Sequence, residues 1–297
     1  MKYKEYRECM LCPRNCRIDR NSNKGVCGEK TTVRIGRAAP HYWEEPCISG
    51  ENGSGTVFFA GCNLKCIYCQ NNALSSGEKG REITVDELIE TYLRLQAEGV
   101  HNINLVTSEH FAPSIKDSIL RAEEKGLEIP IILNSSGYVS VETLELLKDV
   151  IDVYLVDFKY MNKDLAKEFS GAPDYPEVAK RAIEQMVKYK SRVCYDKNGM
   201  ITSGVVVRHL CLPGCTDDSK DIVKYIYETY SDSVVLSIMS QYTPMPACEK
   251  HPLLKRKLTA EEYDSVVDFC IDIGVEDAYI QEGEAASESF IPEFYGK

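Results

Sequence analysis

Long apolar runs are missing from this chain. No stretch approaches the roughly 18 consecutive apolar residues that a membrane-crossing helix requires. The start, Met1-Lys2-Tyr3-Lys4-Glu5-Tyr6-Arg7-Glu8, lacks the apolar core of a signal peptide. The expectation is a cytoplasmic protein with no membrane partner. A basic excess is missing too: the formal net charge of −11 argues against an extended nucleic-acid surface, which needs concentrated Lys and Arg to neutralise phosphates. The short basic run Lys250, Lys255, Arg256 and Lys257 reads as a solvated loop. No internal repeat has a solenoid period, and no stretch is of low complexity. Tryptophan is nearly absent. The only one, Trp43, is expected to bury and to hold neighbouring His41 in a packing role.

Cysteine, by contrast, is plentiful. Thirteen is an odd count and a high one for a compartment whose thiol pools disfavour disulfides, so metal binding accounts better for the clustered ones. An oxygen-poor cell is the natural setting. Cys62, Cys66 and Cys69 follow the apolar run Thr56-Val57-Phe58-Phe59-Ala60 in a C-x3-C-x2-C register. Thiolates are soft ligands that suit iron–sulfur clusters, whereas structural zinc normally takes four protein ligands. Three thiolates on a four-iron cluster leave one iron open, an arrangement for catalysis. Cys9, Cys12, Cys16 and Cys27 are spaced C-x2-C-x3-C-x10-C and complete a closed four-thiolate site, for which either Zn²⁺ or a second [4Fe–4S] cluster is suitable. Cys211 and Cys215, around Leu212-Pro213-Gly214, read as strand-end and turn residues. Cys47, Cys194, Cys248 and Cys270 are isolated, and nothing is assigned to them.

At 297 residues and 43% hydrophobic content the chain has enough apolar material for a large core. From residue 56 onward short β-rich runs alternate with helical patterns, the signature of βαβ units and a parallel sheet. Strands are expected at about 56–60, 102–107, 130–134, 152–157, 203–208 and 234–239. Thr84-Val85-Asp86-Glu87 and Thr259-Ala260-Glu261-Glu262 read as capping boxes that open two of the helices. The fold class is thus α/β, an open (β/α)6 partial barrel over 56–297. Residues 1–55, rich in Cys, Arg, Gly and Pro, form a small metal-binding segment with too little apolar material for a core of its own. The functional face is the C-terminal end of the strands. There the chain places Thr107, Ser108, Glu109 and His110, then Asn134 and Ser135, then Asp157 and Lys159, then Arg208 and His209. His209 reads as a packed, hydrogen-bonded side chain.

With these residues in place the chain resembles the radical S-adenosylmethionine (SAM) proteins related to pyruvate formate-lyase activating enzyme, and within them relatives with an extra N-terminal cysteine cluster. The resemblance rests on Cys9 to Cys16, Glu44-Glu45-Pro46, Gly55-Thr56-Val57-Phe58-Phe59, the cluster loop, Arg208-His209-Leu210 with Pro213-Gly214, and Met239-Ser240-Gln241-Tyr242. It implies a [4Fe–4S] cluster on Cys62, Cys66 and Cys69 that chelates SAM and cleaves it reductively to a 5′-deoxyadenosyl radical. It also implies an electron donor such as a reductase, flavodoxin or ferredoxin, and as substrate a glycine of a partner glycyl radical enzyme. By position Thr107, Ser108 and Glu109 resemble the segment that receives the SAM ammonium. Asn134, Ser135, Asp157 and Lys159 resemble the groups around the SAM carboxylate and an accompanying cation, Arg208 a ribose or substrate contact, and Tyr242 a residue near the adenine. Two positions depart from the family pattern: Thr107 and Ser108 replace glycines, and Asn134 replaces an Asp. The competing readings are radical modification of a small molecule or peptide, and a non-catalytic iron–sulfur or zinc adaptor. For a glycine loop, Arg208 and the stretch Cys211 to Cys215 are expected to line an open groove.

Overall fold

The computed structural model describes residues 3–276, 278–281 and 294–295. In chain order its elements are β1 (Val33–His41), α1 (Pro46–Ser49), β2 (Ser54–Phe59), α2 (Asn72–Ser75), β3 (Arg81–Ile83), α3 (Val85–Ala97) and β4 (Ile103–Val106). Then come α4 (Ala112–Glu123), β5 (Ile131–Ser135), α5 (Val141–Leu147), β6 (Val153–Asp157), α6 (Lys163–Ser170) and α7 (Tyr175–Tyr189). The chain continues with β7 (Cys194–Tyr195), β8 (Ile201–Leu210), α8 (Thr216–Tyr230), β9 (Val235–Met239), α9 (Ala260–Asp272) and β10 (Ala278–Ile280).

The six expected strands are β2, β4, β5, β6, β8 and β9, and they are parallel neighbours in that order. Their sequences are near-continuous apolar runs such as Ile131-Ile132-Leu133 and Val153-Tyr154-Leu155-Val156, all buried, as strands covered on both faces must be. Helices fill the crossovers between them. At the start of α3 the Thr84 hydroxyl accepts from the Glu87 amide at 3.1 Å and the Glu87 carboxylate accepts from the Thr84 amide at 2.7 Å, which satisfies two amides that the helix leaves unpaired. Thr259 and Glu262 repeat the device on α9. Leu88, Tyr92 and Leu95 lie on one buried face of α3. The result is a mixed α/β, barrel-like sheet with flanking helices.

Four strands lie outside the sequence-based expectation. β10 extends the parallel set beyond β9, and β7 pairs antiparallel with β8. β1 pairs antiparallel with β2, from His41 opposite Ser54 to Ile35 opposite Phe59, and β3 pairs with the start of β1. The expected boundary at residue 55/56 therefore falls inside β2, and much of the supposed metal-binding segment is sheet. Beyond β1, the short helix α1 sends Cys47 and Ile48 into a cluster with Ile132, Val153, Leu155, Ile201 and Val206 from the sheet strands. α1 thus plugs the sheet interior.

What remains of the segment, residues 3–32, is largely irregular and is tied down by polar contacts. Tyr6 and Ser114 share a hydrogen bond of 3.0 Å, and the Thr143 hydroxyl donates to the Leu11 carbonyl at 2.7 Å. Arg20 is fully buried, stacked on Tyr6 and Phe111, and donates to the carbonyls of Glu29, Lys30 and His110.

Candidate active site

The loop after β2 carries Cys62, Cys66 and Cys69 at the C-terminal end of the sheet, each half-buried. It is held from two sides. From the N-terminal segment the Cys27 carbonyl accepts from the Cys62 amide at 3.1 Å. Arg14 donates to Asn63 O at 2.8 Å and to Gly171 O at 2.7 Å, bridging the loop to the end of α6. Gly61 has φ +80, and a Cβ there would lie 2.7 Å from the Cys27 carbonyl, so this close approach requires glycine.

The sulfurs themselves receive side-chain donors. Ser170 Oγ donates to Cys66 Sγ at 2.9 Å and Ser75 Oγ to Cys69 Sγ at 3.4 Å. Behind Ser170 runs a hydroxyl chain, Tyr68 to Tyr160 at 2.6 Å and Tyr160 to Ser170 at 2.7 Å. Burial raises the Cys62 and Cys66 thiols, and the Lys159 ammonium partly offsets this at Cys66. Enclosed thiols with hydroxyl and ammonium partners suit a metal-bound thiolate, because ligation removes the proton and hydrogen bonds to sulfur tune the site. The donor set therefore fits an iron–sulfur cluster. Among the described residues no three His, Cys, Asp or Glu side chains converge closely enough to hold a single metal ion.

A cavity of about 440 Å³ opens beside this loop, and Cys62, Cys66, Cys69, Thr107, Asn134, Ser135, Asp157, Lys159, Arg208 and Tyr242 all line it. Ten residues picked from one sequence thus share one space. Ser108 and Glu109 lie buried behind it. Glu109 has its carboxyl raised by burial and held by the Ser135 side chain, and the Ser108 hydroxyl has no protein partner. Thr107 takes φ 58, the left-handed region that favours glycine, so the backbone keeps the glycine conformation although the residue is β-branched.

Arg208 is the hub of the cavity floor. Its Nε donates to Asp157 at 2.9 Å, its Nη1 to Glu44 at 2.7 Å and its Nη2 to Asn134 Oδ1 at 2.8 Å. Glu44 also accepts from Asn104 at 3.1 Å and Asn134 at 3.3 Å, and Lys159 donates to Asp157 at 2.7 Å. Burial opposes the charge on Asp157, yet Arg208 and Lys159 overcome it and hold the carboxyl below its ordinary value. Burial likewise opposes the charge of Arg208, and Asp157, Glu44 and Glu45 reverse the shift. Each of its three nitrogens donates to a protein acceptor, so Arg208 braces the floor of the cavity that it lines.

Several expectations change. Trp43 is 59% exposed and does not bury; it lines the cavity together with His41, which packs edge-on against Phe58. None of Cys211 to Cys215 lines the cavity, because Cys211 and Cys215 turn into the apolar core. His209 is packed as expected, between the Phe158 carbonyl at 2.8 Å and Ser219 at 2.9 Å. The Tyr242 hydroxyl is occupied by the Leu254 carbonyl at 2.6 Å. In the N-terminal segment Cys9, Cys12 and Cys27 are buried and Cys16 half-buried, with Cys9 and Cys27 raising the Cys12 thiol electrostatically on top of the larger effect of burial. Sequence reasoning assigned no role to Glu44, Glu45, Ser170 or Tyr160. The adjacent carboxylates before Pro46 were a visible signal for the first two; Ser170 and Tyr160 reach the site only through the tertiary fold.

The family profile of the radical SAM superfamily matches residues 56–226. An uncharacterised protein of Methanocaldococcus jannaschii is 26% identical over 275 residues, covering 89% of this chain and 74% of that protein. The pyruvate formate-lyase-activating enzyme of Clostridium pasteurianum is 28% identical over 182 residues, covering 60% of this chain and 69% of the enzyme. Among solved structures, the FeFe-hydrogenase maturase HydG of Carboxydothermus hydrogenoformans superposes with a TM-score of 0.53 at 13% identity, over 75% of this chain and 52% of that one. This last likeness concerns the fold alone, and the chain spans about half the length of that structure. Among the described residues no helix is long and apolar enough to cross a membrane.

Proposed function

The chain belongs to the radical SAM superfamily of SAM-using oxidoreductases, and from that premise we propose that Cys62, Cys66 and Cys69 hold a [4Fe–4S] cluster beside a SAM site in the cavity. When bound, such a cluster supplies the electron that cleaves SAM to a 5′-deoxyadenosyl radical for hydrogen abstraction from a substrate. The observation that carries this reading is the convergence of the three-cysteine loop and the strand-end polar residues on one cavity. The chain's own residues have distinct tasks. Ser170, Ser75 and Lys159 support thiolate character at the sulfurs. Thr107, Ser108 and Glu109 present acceptors for the SAM ammonium, while Asn134, Ser135, Asp157 and Lys159 surround its carboxylate. Tyr242 and its aromatic neighbour Tyr68 wall the adenine side. Arg208 fixes the floor that orients these groups.

The distant relation to pyruvate formate-lyase-activating enzymes supports a glycine of a partner glycyl radical enzyme as substrate, with a reductase, flavodoxin or ferredoxin as electron source. One observation favours the second reading, a small molecule or short peptide: the stretch Cys211 to Cys215, expected to line a groove for a glycine loop, stays out of the cavity. Cys9, Cys12, Cys16 and Cys27 form, in this reading, a second metal site of zinc or iron–sulfur type ahead of β1. Anaerobic reconstitution tests the core of the proposal. Wild-type protein is expected to release 5′-deoxyadenosine from SAM under strong reductant; the Cys62→Ala/Cys66→Ala/Cys69→Ala variant is expected to release none.

A further inference from the structure

Among the described residues the cavity floor carries one carboxylate, that of Glu45, with an oxygen that accepts no hydrogen bond. Of the ionisable side chains there, Asp157 is shared by Lys159 and Arg208, and Glu44 is taken by Arg208, Asn104 and Asn134. Glu45 is the exception. It is only 7% exposed and lines the cavity beside Ser237, and its Oε2 accepts no hydrogen bond. Among the described residues that line the cavity, three carboxylates (Glu44, Glu45, Asp157) thus face two cations (Lys159, Arg208), and each guanidinium nitrogen of Arg208 already donates one hydrogen bond elsewhere. A buried carboxylate whose nearby cation is shared with two other carboxylates is costly, and it is relieved by a proton or by a cation that a ligand brings. Burial does raise the Glu45 carboxyl, with Glu44 adding to the effect and Arg208 opposing it.

Sheet order separates this group from the place proposed for the SAM ammonium, although Ser237 pairs in register with Arg208 on β8. Ser237 belongs to β9, four strands away from β4 and its Thr107 in the sheet order. The cavity walls also include Trp43, Phe58 and Tyr279, aromatic faces that accept an alkyl chain and attract its ammonium. Resting on the radical SAM reading above, we propose that Glu45 is a substrate-recognition residue and that the substrate carries a primary ammonium, which pairs with the Glu45 carboxylate while its alkyl stem packs on the aromatic wall. The class is an amine-bearing small molecule or a lysine-like side chain.

The probe is n-butylammonium at pH 7, with n-butanol as neutral control, titrated calorimetrically into cluster-reconstituted enzyme saturated with SAM. The ammonium is expected to bind at least about tenfold more tightly than the alcohol, the size of one charge-assisted hydrogen bond. Glu45→Gln should erase the preference, and Glu45→Asp should restore part of it. A preference under about twofold in wild-type enzyme overturns the proposal, and that arm needs no variant to fold. So does a preference that appears only when SAM is omitted, which would give Glu45 to SAM, or displacement of the amine by equimolar potassium. Release of 5′-deoxyadenosine in the same wild-type sample tests the underlying reading separately, so failure of the two is distinguishable.

Discussion

Thr107 shows at a single residue how the site departs from its relatives and keeps its geometry. A β-branched side chain at φ 58 costs on the order of 1–3 kcal/mol, and the surrounding buried groups must hold it there. Thr107→Gly should therefore stabilise the protein by about 1 kcal/mol after the entropy cost of glycine, read as a shift of the urea midpoint. A loss of stability would mean that the hydroxyl makes a contact that matters more than the strain. Arg208 carries the opposite expectation. Its removal leaves Glu44 and Asp157 buried without their shared cation, so Arg208→Met should destabilise by about 3–5 kcal/mol. A midpoint shift below about 1 kcal/mol would show that solvent reaches this network and screens it. At this scale the cysteine loop was legible because ligand spacing is written in the chain itself. Ser170 was not, since the sulfur that gives it meaning lies 104 positions away, at Cys66.

Among the elements, the six central strands could be read because parallel strands buried on both faces are continuous apolar runs of the right length. β1 escaped the same test. Val33-Arg34-Ile35-Gly36-Arg37-Ala38-Ala39-Pro40 contains two arginines, a glycine and a proline, a poor strand signal. Pro40 is tolerated because β3 pairs only with Val33, Arg34 and Ile35, so among the described residues no strand pairs with the other side of β1 at the proline. The consequence concerns the second metal site. Since β1 and α1 are integral to the sheet, replacing Cys9, Cys12, Cys16 and Cys27 by Ser should increase amide hydrogen exchange over residues 3–32 and leave 33–59 protected. Bound zinc or iron that persists in a protein lacking the three cluster-loop cysteines is the companion result. Exchange that spreads through β1 would contradict the division drawn here.

For the molecule as a whole, burial of polar groups sets its response to acid. His209 lies fully enclosed between Phe158 and Ser219, and burial lowers its pKa from 6.5 to about 4. A depressed histidine contributes its full stability above pH 6.5, where neither state is charged, and loses it as pH falls toward about 4, because only the unfolded chain takes up the proton. The destabilisation caused by His209→Gln should accordingly shrink by about 1 kcal/mol between pH 6.5 and pH 5.5, measured by urea unfolding. A constant difference would mean that His209 titrates normally.

The same enclosure gathers three thiols and the strand-end polar residues around one cavity, and the account stands on what that cavity does. Quantifying 5′-deoxyadenosine after anaerobic incubation with SAM and a strong reductant tests it most directly, in the wild type and in the Cys62→Ala/Cys66→Ala/Cys69→Ala variant. The account predicts product from the wild type and none from a variant that keeps its fold by circular dichroism. Equal release from both, or none from a fully iron-loaded wild type, would contradict it.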